Sequence, residues 1–116
     1  DVVHVFIIVL QTRHVNPNTL TGKLNTFHEE EFPDKGLSVS NIHFEDNKQL
    51  LTVTNFADKR AGMDYFQLLM ESETFTVDEL GRMEAYVISV ENYPLFYQEK
   101  ELDEYRRFFD HYYLDL

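Results

Sequence analysis

The sequence predicts an α+β fold built on a four-stranded antiparallel sheet, and three observations carry that prediction. The chain opens on Val2-Val3-His4-Val5-Phe6-Ile7-Ile8-Val9-Leu10, in which eight of nine residues are apolar. A half-exposed strand would alternate apolar and polar residues, so this run reads as a central strand with both faces covered. Further stretches then follow in the order helix, strand, strand, helix, strand, told apart by apolar spacing near 3.6 or near 2. Beyond Pro94 the chain ends in an aromatic-rich helical tail, over about residues 93–114.

Each element has a local signature. Pro17 and Thr19 suit the start of a helix whose apolar stripe is Leu20, Leu24, Phe27 and Phe32, with Lys23, Glu29 and Glu30 on the wet side. Pro33-Asp34-Lys35-Gly36 ends it, and residues 37–45 have strand character. Asp46-Asn47-Lys48 is a short polar link to a third strand, residues 49–56, so these strands form a hairpin. Asp58 is placed to cap a helix over 59–73, burying Ala61, Tyr65, Phe66, Leu69 and Met70. Residues 74–83 read as a loop with a helical turn at 78–80, and residues 85–90 as the fourth strand. A short helical piece near 95–98 precedes a last helix over 101–113.

Two split strand-helix-strand crossovers in this order give a ferredoxin-like βαββαβ sandwich with a C-terminal helical extension, its first and third strands central and both helices on one face. Residues 1–116 read as a single such domain, and its abrupt first strand as a piece excised from a larger protein. The second sheet face keeps part of Phe6, Ile8, Tyr86 or Ile88 and needs a lid. The tail is the expected lid, with a swapped tail or a sheet-to-sheet homodimer as alternatives. Leu102, Tyr105, Phe109 and Tyr112 are expected to face inward, leaving Arg107 and Tyr113 outside.

Composition narrows the function classes. At 116 residues the chain buries roughly two thirds of its unfolded surface and folds without staples. The absence of cysteine excludes disulfides, thiolate metal sites and Cys nucleophiles. With 21 acidic against 10 basic residues, the net charge of −11 disfavours nucleic acid and anionic membranes as partners. The opening apolar run is too short for a membrane span and lacks the flanks of a signal peptide, so direct membrane insertion is not expected.

The sequence contains no catalytic or ligand motif. None of the five histidines is paired at a metal-ligand spacing, and they read as solvated or singly hydrogen-bonded. Arg13 after the first strand and Asn41 on the second would allow an acylphosphatase-like anion pocket, but no glycine-rich phosphate cradle lies between Gln11 and Asn18. Phe6 and Phe56 stand where RNA-recognition domains stack bases, yet the basic surroundings are missing, so packing is the better account. No catalytic residue, metal or cofactor is expected. The tail is rich in the residue types of interface hot spots, and the candidate interaction surface comprises Phe6, Ile8, Tyr86, Ile88, Tyr105, Arg107, Tyr112 and Tyr113.

Beyond these readings, residues 3–113 resemble the C-terminal domain of tetratricopeptide-repeat lipoproteins of Bacteroidetes, a group that includes a gliding-motility and type IX secretion component. The likeness is carried by the apolar first strand, Leu24-Asn25-Thr26-Phe27-His28, Leu37-Ser38-Val39-Ser40, Gln49-Leu50-Leu51-Thr52-Val53-Thr54-Asn55-Phe56, Ala85-Tyr86-Val87-Ile88-Ser89 with Asn92-Tyr93, and Leu102-Asp103-Glu104-Tyr105-Arg106-Arg107-Phe108-Phe109. It implies a module closing a helical-repeat protein in the periplasm or at the outer membrane, and brings no catalytic residues. The expected function is a non-enzymatic interaction or structural module that binds a protein partner or itself. The alternative is a small-ligand sensing domain acting as a dimer.

Overall fold

The computed structural model describes residues 2–116. Strand β1 (His4–Gln11) leads through helix α1 (Pro17–Glu31) to strands β2 (Ser38–Glu45) and β3 (Lys48–Phe56). Helices α2 (Lys59–Glu71) and α3 (Val77–Leu80), strand β4 (Met83–Ser89), and helices α4 (Tyr93–Glu99) and α5 (Leu102–Tyr112) complete the order. Every element expected from the sequence forms, and the differences lie at the ends. Val2 and Val3 stay outside β1 and are exposed, because the ladder with β4 ends at the His4–Ser89 pair. Helix α2 stops two residues early, where the Ser72 hydroxyl donates to the Leu69 carbonyl (2.7 Å) and Glu73 turns left-handed (φ 60°).

Local chemistry sets these boundaries. The side chain of Asn16 accepts from the Asn18 amide (2.9 Å) and that of Asp58 from the Ala61 amide (2.8 Å), each satisfying an otherwise orphaned donor of a helix start. Thr76 and Glu79 form a reciprocal capping box, which makes α3 a defined turn. Asn47 takes a positive φ of 65° in the tight turn between Glu45 and Lys48, a conformation that asparagine tolerates better than most residues. Lys23 of α1 pairs with Glu79 of α3 at 2.7 Å. Burial works against the Glu79 charge, but the Lys23 hydrogen bond and the Thr76 amide outweigh it and hold the carboxyl below its usual range.

The sheet order is β2-β3-β1-β4 with every neighbouring pair antiparallel, so β1 and β3 lie in the middle. Pairing places Phe6 beside Val53 and Val87, and Ile8 beside Leu51 and Ala85, on one face; Ile7, Thr52 and Tyr86 share the other. Helices α1 and α2 cover the Phe6 face: Tyr65 of α2 meets the Phe6 ring edge-on at 5.1 Å, and Phe27 of α1 meets Tyr65 at 5.8 Å. Gly62 allows α2 to lie close to the sheet, since a Cβ there would stand 2.8 Å from Val87 Cγ1.

This geometry corrects the expected open face. Phe6 and Ile8 point to the α1/α2 layer and are fully buried, while Tyr86 and Ile88 point the opposite way and are buried too. The four were expected on one face, but Phe6 pairs with Val87 and Ile7 with Tyr86, so they fall on opposite faces; both parities of β1 are apolar, and parity alone does not say which one meets the helices. The tail closes the second face and one edge. Phe96 of α4 stacks on Phe44 at 5.6 Å, and Tyr86 packs edge-on against Tyr105 (5.4 Å) and Phe109 (5.3 Å) of α5. Phe109 also reaches Phe66 of α2 at 5.4 Å, so α5 runs around the outer edge of β4 and joins both layers. There the Tyr105 hydroxyl donates to the Val87 carbonyl (2.6 Å), satisfying a backbone acceptor of an edge strand.

Candidate interaction groove between the C-terminal helices

Asn92-Tyr93-Pro94 opens α4, where proline fits a first helical turn. The helix ends at Lys100, whose left-handed backbone (φ 57°) lets the chain reverse while its amide donates to the Phe96 carbonyl (2.9 Å). Helix α5 follows at once, and a groove of about 180 Å³ lies between the two. Asn92, Leu95, Phe96 and Glu99 line it from α4, joined by Glu101, Glu104, Tyr105 and Phe108. The spacing is the same on both sides, one helical face repeated at three and four residues. Phe96 and Tyr105 form the floor, their rings 5.3 Å apart, while Leu95 is 55 % exposed and Phe108 37 %. Phe108 continues into Tyr112 at 4.7 Å, which is itself 57 % exposed.

The rim is acidic. Glu99, Glu101 and Glu104 are exposed and no cation lines the groove. The nearest lysine, Lys100, is turned away: its ammonium donates to the Tyr97 carbonyl and sits over the Tyr97 and Phe44 rings at 4.0 and 5.0 Å. Arg106 is engaged by Asp103 at 3.3 Å. An apolar trough with a carboxylate rim can accept an apolar side chain flanked by positive charge.

Of the expected interaction residues, Tyr105 alone lines this groove. Tyr112 borders it and Arg107 is exposed nearby on α5. Phe6, Ile8, Tyr86 and Ile88 offer no open surface, since all four lie inside the packed layers. The expected roles of Tyr112 and Tyr113 are exchanged: Tyr113 keeps right-handed backbone, its amide donates to the Phe109 carbonyl (2.8 Å), and so it shares the inner face of Phe109 four residues earlier, while Tyr112 follows the exposed Phe108 outward. Tyr113 stacks on Phe109 at 5.2 Å, its hydroxyl is hydrogen-bonded to His4 Nε2 (2.9 Å), and Lys59 lies 4.7 Å from its ring. Lys59 also donates to the Tyr112 carbonyl, which ties the end of α5 to the start of α2. Burial raises the hydroxyl pKa of Tyr86, Tyr105 and Tyr113, so all three hold the tail as neutral groups. Leu95, Glu99 and Glu104 were missed at the sequence level, because only the reversal at Lys100 brings the two helical faces together.

Other sequence candidates separate. Arg13 Nε donates to the Asn47 side chain (3.1 Å), whereas Asn41 pairs across the sheet with Leu51 and through it with Ile8, five residues before Arg13. His14, His43 and His111 are exposed, but His4 and His28 are buried. His4 makes two hydrogen bonds, to the Val2 carbonyl and to Tyr113. His28 Nε2 is hydrogen-bonded to the Tyr65 hydroxyl at 2.6 Å, its Nδ1 has no partner, and burial lowers its pKa. Among the described residues no three His, Cys, Asp or Glu side chains converge, and no helix is long and apolar enough to cross a membrane. No family model, curated protein or solved structure matches the chain.

Proposed function

We propose that the chain is a non-enzymatic protein-interaction module that docks a cationic segment with an apolar anchor in the α4/α5 groove. The observation that carries this reading is the pairing of exposed Leu95 and Phe108 with three free carboxylates in one trough. An aliphatic or aromatic anchor entering beside Phe108 would cover the apolar walls, while Lys or Arg on either side would meet Glu99, Glu101 and Glu104. The net charge of −11 adds long-range attraction that speeds encounter and is screened by salt. We also read the architecture as ferredoxin-like, which the central position of β1 and β3 supports. The resemblance to the closing domain of tetratricopeptide-repeat lipoproteins supports a place in a larger cell-envelope protein concerned with secretion or gliding motility.

The test uses a short synthetic peptide carrying one Phe and one Leu among lysines, titrated against the intact chain. Binding is expected to weaken with salt, and to fall about tenfold in Phe108→Ala or in the combined Glu99→Gln, Glu101→Gln, Glu104→Gln variant. The same number of carboxylates neutralised at Glu29, Glu30 and Asp34, away from the groove, is expected to leave binding nearly unchanged. Equal loss in both charge variants would show attraction by net charge alone. Equal binding of an acidic peptide with the same anchors would remove the role of the rim.

A further inference from the structure

The two edges of the sheet are treated differently. Strand β4 is covered by α5, and its outer Val87 carbonyl accepts from Tyr105. Strand β2 lies at the opposite edge with β3 as its sheet neighbour, and Ser38, Ser40, Asn41 and His43 are exposed, with Ile42 at 37 %. Edge strands of this length are commonly guarded by lysine, proline or inward-pointing charge. Here the chain contains no Asp, Glu, Lys, Arg or Pro from Gly36 to Phe44.

We infer that β2 is the interface between two copies of this chain, paired antiparallel across a two-fold axis at Ser40. The backbone limits the registers open to such a pair. The Tyr97 hydroxyl donates to the His43 carbonyl (2.7 Å), so this carbonyl points away from β3. By the alternation of an antiparallel ladder, Asn41 and Val39 present their amides and carbonyls to the same open side. Centring the pair on Asn41 would set Val39 against His43 of the other copy, whose carbonyl is already taken. Centring on Ser40 sets Val39 against Asn41 twice, using only free groups, and places the half-exposed Ile42 beside Ser38 of the other copy.

Charge favours a second copy as the occupant. Most of this surface is acidic, and two equally acidic chains repel wherever their carboxylates face. Gly36 to His43 is an uncharged and mostly exposed stretch at which they can meet without that cost. At the ends of the strand stand Lys35, in the turn before β2, and Glu45, its last residue. Asp34, Asp46 and Lys48 lie around the same points, so the ends are of mixed sign. The pairing uses no residue that lines the α4/α5 groove, so each can fail without the other.

The experiment is sedimentation equilibrium of the intact chain over a concentration series, joined to amide hydrogen exchange. A concentration-dependent dimer is expected, in which the Val39 and Asn41 amides become protected as dimer forms while the Ser40 amide, already bonded to β3, changes little. Asn41→Pro removes an outward donor and is expected to abolish the dimer. Ser40→Lys, at an exposed position that meets its own counterpart on the two-fold axis, sets like charges against each other and is expected to weaken it roughly tenfold. A chain that stays monomeric throughout overturns the inference. So does a dimer indifferent to Ser40→Lys, or one whose Val39 and Asn41 amides exchange as freely as in the monomer.

Discussion

Tyr65→Ala is expected to lower the stability of the fold by about 3–5 kcal/mol, the range for removing a large buried aromatic ring. Tyr65 is fully buried at the junction of the two helices and the sheet, within 6 Å of the Phe6, Phe27, Phe32 and Phe56 rings. The substitution removes those contacts and also strips His28 of its only side-chain hydrogen bond, leaving a buried imidazole with no partner on either nitrogen. Single domains of this size are stable by about 5–15 kcal/mol, so much of the margin goes. Denaturant unfolding should show a lower midpoint with little change in slope; a shift of under about 1 kcal/mol would mean that the ring is not part of the packed core. His28 adds a pH dependence of known sign. Burial lowers its folded pKa below the ordinary 6.5, so the unfolded chain takes up a proton first as pH falls. Its contribution is complete above about pH 6.5 and declines below it, levelling off once pH passes below the folded value. His28→Gln is expected to flatten the stability profile in that window, and an unchanged profile would remove His28 as its cause.

Phe109→Ala is the second large effect, about 3 kcal/mol or more from the loss of a buried ring, and it has a local signature. Phe109 is 2 % exposed and bridges Phe66 of α2, Tyr86 of β4 and Tyr113. Without it α5 loses the contact that joins both layers, and the Tyr105 bond to the Val87 carbonyl loses its support. Amide exchange along α5 is expected to rise more than in β1 and β3, and proteolysis to concentrate near Lys100, where α4 gives way to α5. Uniform acceleration across the chain would instead show that the tail unfolds only with the sheet. Either outcome also bears on the groove, whose second wall is α5.

The order of elements was legible because its signals are local. Asp58 announces α2 through a cap, Asn47 sits in a two-residue turn, and the stripe of Leu20, Leu24 and Phe27 marks the inner side of α1. What failed was relational. Both parities of β1 are apolar, so no residue in that strand says whether Phe6 or Ile7 faces the helices; the connections decide it, and they decided against Phe6 and Ile8 as open surface. His28 carried a usable signal, four residues after Leu24 and next to Phe27, but its polar character hid its place on the buried stripe. The groove depends on a left-handed lysine, and Lys100 lacks the glycine or asparagine identity that would advertise such a turn. Tyr113 carried a usable signal, four residues after Phe109 and eight after Tyr105, whereas Tyr112 follows the outward Phe108.

The sealing of one sheet edge by α5 has a further consequence. A sheet with both edges bare can add copies without limit, since each addition regenerates the surface it consumed. With Tyr105 and Phe109 standing against β4, a copy that joins through β2 brings a blocked edge on its far side. In the proposed pairing through β2 the tail would act as a chain stopper, ending growth at a closed pair of sheets in place of a filament. Loosening α5 would expose a second sticky edge, so the same aromatic contacts that stabilise the monomer also set the largest assembly its sheet can build.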